Sequence, residues 1–311
     1  MSGLHWVGAL DTTQQSQVRA LVDAATGADG VAPVSEHVLL SLPTESKHLL
    51  ATDGDVITGY ANLSAGPPTA ELVVHPEHRR HGLGTALITE ILGTEVVGSD
   101  PTVQVWAHGN GVAAQAVARR LGLVSRRELC QMRLDLATVE LPKVIAPEGV
   151  RLRTYEPETD DAAVLAVNNA AFAWHPEQGG WGECELAERR AEPWFDAEGF
   201  FLAVDDRAEL LGFHWTKVHP PEGADPALGE VYVVGVSPQA QGRGLGRVLT
   251  LAGLHHLRSR GLGSVLLYVE ADNTAAVHTY TKLGFRQYHV DVAYGCVVDR
   301  DVMGAGTTRP S

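Results

Sequence analysis

Apolar residues recur along the chain in two alternating periods. Val150-Arg151-Leu152-Arg153 alternates apolar and polar, which predicts a half-buried strand, and a helical stretch follows from Asp160 to Ala173, with Asp161 near its start. After an irregular segment, His175 to Trp181, two strands are predicted at Gly199–Val204 and Leu210–Val218, joined by a polar turn at Asp205-Asp206. The β-branched run Glu230–Val236 predicts another strand, and Ser237-Pro238 stops it. A helix from about Gly246 to Gly261, a strand at Val265–Val269, a helix from Asn273 to Leu283 and a closing strand from Phe285 to Tyr294 complete the series. This order predicts an α/β fold, a mixed and mostly antiparallel sheet flanked by helices.

The pattern occurs twice. Shifted by 162 residues, Pro76 falls on Pro238, Gly82 on Gly244, Gly84 on Gly246, Leu87 on Leu249, Trp106 on Tyr268 and Leu121-Gly122 on Leu283-Gly284. One offset held over some fifty residues marks a duplication. Two tandem domains are expected, at 1–140 and 150–298, with a stiff Pro- and Gly-containing linker at 141–149 and a short polar tail at 299–311.

Composition narrows the partners. The 311 residues carry a formal charge of −14, which disfavours nucleic acid and anionic membrane surfaces. Cys130, Cys184 and Cys296 are widely spaced and form no Cys/His cluster, so neither a disulfide framework nor a metal site is expected. No signal peptide and no membrane-spanning apolar run is visible, and a cytoplasmic monomer is expected.

The chemical signal is Gln241-Gly242-Arg243-Gly244-Leu245-Gly246, placed between a strand and a helix. Glycines let the backbone turn its N–H groups toward a ligand, and a helix N-terminus adds a positive dipole end, so the turn suits a pyrophosphate. A tight turn that needs glycine only for its dihedrals is the plainer reading. No Gly-Lys-Ser/Thr follows, which excludes a Walker A loop, and the glycine spacing fits a dinucleotide fingerprint badly.

The run from Val234 to Gly246 resembles motif A of the GCN5-related N-acetyltransferase superfamily, and Glu270 to Phe285 resembles its motif B, an Asn opening a helix and a Tyr before Leu-Gly-Phe. The resemblance implies acetyl-CoA as co-substrate. It assigns cofactor contacts to Val234, Gly235, Val236, Gln241, Gly242, Arg243, Gly244, Leu245, Gly246 and Arg247, and to Asn273, Thr274, Ala275, Ala276, Val277 and His278. In the first copy it assigns them to Leu72, Val73, Val74, Arg80, His81, Gly82, Leu83, Gly84 and Thr85. Tyr280 would protonate the leaving thiolate.

At the same offset Tyr280 corresponds to Ala118, Asn273 to Gly111 and Glu230 to Pro68. The first copy is therefore expected to bind acetyl-CoA or be structural, and the second to catalyse. Glu230 is the candidate base. In a regular strand it would share a face with Val234 at about 13 Å, a distance that suits proton removal through water.

Further runs carry a closer resemblance: Asp29 to Glu36, Asn168 to Trp181, and Gly212 to Pro220. They are similar to the mycothiol synthase family of actinobacterial acetyltransferases. That likeness implies a small amino-thiol pseudodisaccharide as acceptor, bound by Glu36, Glu177, Lys217, Glu230 and Tyr268. Two other readings stay open here: acetyl transfer to another small amine, and a non-catalytic acetyl-CoA sensor.

Overall fold

The computed structural model describes residues 3–44, 46–64, 68–93, 103–175, 178–221 and 226–296. The first copy runs β1 (Gly3–Val7), α1 (Thr12–Asp29), α2 (Glu36–Ser41), β2 (Lys47–Asp53), β3 (Val56–Leu63), β4 (Thr69–Val74), α3 (Leu83–Gly93), β5 (Gln104–Ala107), α4 (Val112–Arg120) and β6 (Val124–Asp135). The second runs β7 (Val150–Thr154), α5 (Asp161–Ala171), α6 (Glu183–Ala191), β8 (Phe200–Asp205), β9 (Leu210–His219), β10 (Leu228–Val236), α7 (Leu245–Ser259), β11 (Ser264–Glu270), α8 (Thr274–Lys282) and β12 (Arg286–Gly295). The 162-residue offset is carried by the elements themselves. α3 and α7 begin at Leu83 and Leu245, α4 and α8 at Val112 and Thr274, and β6 and β12 at Val124 and Arg286.

The chain divides into two compact units, one holding residues up to Glu128 and again from Val290, the other Leu129–His289. In the first unit the sheet order is β1-β2-β3-β4-β5-β12, and in the second β6-β11-β10-β9-β8-β7. β5 pairs antiparallel with β12 through Trp106 and Ala293, and β11 pairs antiparallel with β6 through Leu267 and Met132. Each unit is thus closed by the last strand of the other copy's sequence. Each sheet has one parallel pair, β4 with β5 and β10 with β11, in an otherwise antiparallel order. Residues 141–147 have no regular secondary structure, and in sequence they fall inside the second unit rather than between the two.

Local chemistry explains the main helices. α1 starts at a capping box, where Asp11 accepts from the Gln14 N–H at 2.8 Å and the Gln14 side chain takes the Asp11 N–H at 3.0 Å. Val18, Leu21, Val22 and Ala25, at helical spacing, bury one face of α1 with Leu50, Tyr60 and Val73. In the second unit Phe200, Phe213, Trp215, Trp181 and Val233 form the core on the α5 side of the sheet, with Trp215 stacked on Phe200 at 4.7 Å. Burying a ring of this kind contributes roughly 2–3 kcal/mol. The other face packs Leu245 and Leu249 of α7 against Ala203. α6, which the apolar pattern did not announce, has a single fully buried residue, Leu186, among charged neighbours.

Candidate active site

Gly242 and Gly244 hold left-handed backbone, at φ 77° and 78°, and no atom lies within 4 Å of where a Cβ would stand on either. The turn is therefore open on the side its glycines face, and Leu245 begins the 15-residue α7 directly behind it. In the first unit Arg80 and Gly82 occupy the same positions with φ 68° and 86°. A left-handed arginine costs about 1 kcal/mol, so the first copy keeps the turn's backbone shape against its own side chain.

Behind each turn the sheet opens. The parallel ladder between β10 and β11 covers only Gly229–Val231 against Val265–Leu267, although β10 continues to Val236 and β11 to Glu270. β4 and β5 likewise pair at Thr69 and Ala70 only, while β4 runs on to Val74. A V-shaped gap flanked by backbone N–H and C=O groups results in both units.

The register of β10 corrects one expectation. Between Val231 and Val233 the pairing with β9 slips by one residue, so Glu230 stands opposite Lys217 but Val234 opposite His214. Lys217 and His214 are three apart on β9 and point to opposite faces, and so do Glu230 and Val234. His214 Nδ1 lies 2.8 Å from the Leu249 carbonyl of α7, which puts Val234 on the α7 face and Glu230 on the other.

Glu230 shares its face with Lys217 and His219 of β9, and with Tyr268 and Glu270 of β11. The residue is buried, at 8% exposure, and its Oε2 lies 2.6 Å from His219 Nε2. Lys217 does not pair with it. The ammonium is 4.8 Å from the Trp194 ring centroid and 5.6 Å from that of Tyr232, a cation–π arrangement. Arg189 Nε donates to Tyr232 Oη at 3.1 Å. Tyr268 is half exposed, and its hydroxyl accepts from Gln131 at 2.7 Å. At the far end of β11, His175 Nε2 is 3.8 Å from Glu270 Oε1.

On α8, Tyr280 is buried edge-on against Phe285, with centroids 5.8 Å apart, and burial pushes its hydroxyl up to about 12. Asn273 caps α8, its Oδ1 accepting from the Ala276 N–H at 3.2 Å, and its amide nitrogen can donate to a ligand.

The first unit has a cleft of about 810 Å³ around its gap. Leu72, Val73, Val74, Arg80, Gly82, Leu83, Gly84 and Thr85 line it, and His81 does not. His108, also on the lining, has Nε2 3.1 Å from Glu71 and Nδ1 3.3 Å from Asp291. Burial works against a charged ring, but the Asp291 and Glu71 carboxylates outweigh it and raise His108 to about 9. Burial likewise opposes the Glu71 carboxylate, and His108 and Ser35 together hold it below its ordinary value. Among the described residues no cluster of three His, Cys, Asp or Glu could hold a metal ion, and no helix is long and apolar enough to cross a membrane.

Residues 168–285 match the model of the acetyltransferase (GNAT) family, and residues 44–122 that of an acetyltransferase (GNAT) domain. A mycothiol acetyltransferase of Nocardia farcinica is 58% identical over 94% of this chain and 97% of its own length. One from Mycolicibacterium smegmatis is 54% identical over 94% and 99%. The chain belongs to the mycothiol acetyltransferase family. Two solved structures share the fold of this chain. A GCN5-related N-acetyltransferase of Sphaerobacter thermophilus has a TM-score of 0.71, with 24% identity over 94% of both chains. A tandem GNAT protein of the clavulanic acid biosynthesis pathway has 0.67, with 21% identity over 94% and 98%.

Three of the residues expected at the acceptor come together in the second unit. Glu230, Lys217 and Tyr268 stand on one sheet face, and the Gly-rich turn with Val234 stands toward α7. Glu36 is the first residue of α2, and Glu177, like the tail 299–311, lies outside the described residues. His219, Trp194 and the pair Glu71–His108 were not foreseen. His219 meets Glu230 diagonally across two strands, and only the pairing register could have linked them. His108 meets Asp291, and the adjacent Gly109 N–H donates to that same carboxylate across 182 residues, which no local pattern encodes.

Proposed function

We propose that the protein transfers the acetyl group of acetyl-CoA to the cysteinyl amine of 1D-myo-inositol 2-(L-cysteinylamino)-2-deoxy-glucopyranoside, the last step of mycothiol synthesis. The observation that carries this reading is the division of the second unit's sheet. Glu230, Lys217 and Tyr268 are on one face, the glycine turn and α7 are on the other, and the gap beyond Val231 joins the two. An acceptor and a thioester can then approach one carbon from opposite sides.

Acetyl-CoA fits this chain's own groups. The left-handed Gly242 and Gly244 leave open space where a Cβ would stand, and the α7 N-terminus offers N–H groups with a favourable dipole to a pyrophosphate. The backbone of Val234–Val236, beyond the parallel ladder, can pair with an extended amide-bearing arm and aim an N–H at a carbonyl oxygen. Bound acetyl-CoA supplies the activated acetyl group.

Glu230 takes the proton of the acceptor amine, a light demand because an α-amino group has a pKa of about 8. Lys217, held on two aromatic rings, and Tyr268 offer donors to sugar hydroxyls. Tyr280 remains a neutral donor at any working pH. Full transfer to a thiolate whose acid has a pKa of about 8.5 is uphill in water, so its proton crosses late, as the sulfur is desolvated.

The first unit, on this reading, holds acetyl-CoA in its cleft without turning it over. Ala118 stands where Tyr280 stands and Pro68 where Glu230 stands, and Glu71 is engaged by Ser35 and His108. The test is release of free thiol from acetyl-CoA with the cysteinyl-glucosaminyl-inositol acceptor. Turnover is expected with this acceptor, and its absence sinks the reading.

A further inference from the structure

A buried base must lose the proton it has taken before it can act again. The Glu230 side chain is 10% exposed, whereas that of His219, with Nε2 2.6 Å from Glu230 Oε2, is 38% exposed. The histidine ring thus touches the carboxylate at one nitrogen and reaches toward solvent with the rest. The register explains the contact. Glu230 stands opposite Lys217, and His219 lies two residues farther along β9 on the same face, opposite Leu228.

Resting on the reading of Glu230 as the base, we infer that His219 is its positioning residue and proton outlet. The amine proton passes, through water, to the Glu230 carboxylate. The resulting acid gives it from Oε2 to His219 Nε2, the ring carrying its other proton on Nδ1. The imidazolium then releases the Nδ1 proton to water, which leaves the carboxylate and an imidazole protonated on Nε2, and tautomer exchange with solvent returns the ring to its Nδ1–H form before the next turnover.

The choice of partner supports this role. Lys217 is directly cross-strand from Glu230, yet its ammonium is committed to Trp194 and Tyr232. A permanent cation on the carboxylate would favour its ionised form and weaken it as a base, whereas a histidine can pass through the neutral state. Among the described residues, the other titratable groups facing this region have partners of their own. Arg189 of α6 is on Tyr232, Tyr268 is on Gln131, and His175 lies near Glu270 at the end of β11.

The test uses the full chain with acetyl-CoA and the pseudodisaccharide acceptor across about pH 6–9. His219→Ala is expected to lower kcat by about tenfold, with the acceptor KM changed by less than about threefold, and added imidazole is expected to restore the rate as its concentration rises. His219→Gln, which can bond Glu230 but cannot carry a proton, is expected to stay slow. A wild-type kcat in His219→Ala, a loss confined to KM, or full recovery in His219→Gln overturns the outlet. Glu230→Gln is run beside them. If it keeps wild-type kcat, the base assignment itself has failed. If it is slow while His219→Ala is normal, only the outlet has failed. Melting curves for each variant separate misfolding from slow chemistry.

Discussion

Arg80 and Gly242 hold the same left-handed backbone at equivalent positions of the two turns, at φ 68° and φ 77°. One residue type tolerates that region freely and the other does not, so the shape has been kept where the sequence resists it. Copying the first turn into the second tests whether shape or side chain matters. Gly242→Arg is expected to cost about 1 kcal/mol in chemical denaturation, since the backbone is strained but the Cβ has room. The KM for acetyl-CoA should stay within about threefold if the N–H groups do the binding.

Removing the Tyr280 hydroxyl should slow chemistry and leave binding nearly unchanged. Tyr280→Phe is expected to lower kcat by roughly 10²-fold. Because burial pushes the hydroxyl up to about 12, the protonated form dominates throughout the working range. Tyr280 should therefore add no descending limb to the kcat–pH profile below about pH 11. A kcat unchanged in the phenylalanine variant removes the donor role.

Stability should carry the signature of His108. Its folded value, about 9, is above the unfolded value of 6.5, so its contribution is complete below pH 6.5 and is lost as pH rises through 9. The upper bound on that loss is about 3 kcal/mol. Glu71, held low by His108 and Ser35, contributes in the opposite direction, and its share disappears on acidification. Melting temperatures of the wild type and His108→Gln should converge as pH rises from about 6 to 10. Parallel curves would show that the ring is not charged in the folded state.

Asn273 separates a structural role from a binding role. Asn273→Ala should cost about 1 kcal/mol through the lost cap on α8, and Asn273→Asp should recover it. If the amide nitrogen also binds acetyl-CoA, Asn273→Asp will keep its stability while its KM rises.

Element types and the duplication were legible in the sequence because they rest on local periodicity and on one offset. β7 at Val150–Thr154 follows from four alternating residues, and α8 from an Asn before a helical stretch. The face of Glu230 was not legible. A regular strand puts it with Val234, and the slip at Val231–Val233 puts it opposite, because a bulge is decided by pairing with β9 rather than by β10 alone. The short α6 escaped for a related reason, since one buried leucine among charges gives no periodic stripe. Partners such as His108 and Asp291 depend on which strand closes which sheet, information that is spread over the whole chain.

The exchanged strands set an order for folding during synthesis. The first unit's sheet takes its last strand from residues made after the whole second unit, since Val292–Tyr294 pair with Val105–Ala107. A nascent chain halted after the first copy has made β6, most of which belongs to the second unit, and still lacks its own closing strand. β5 then lacks its β12 partner until that strand is made. Terminations before β12 should therefore damage the N-terminal half of the protein as well, and a cut at the duplication's own seam leaves each copy without the closing strand it has in the full chain.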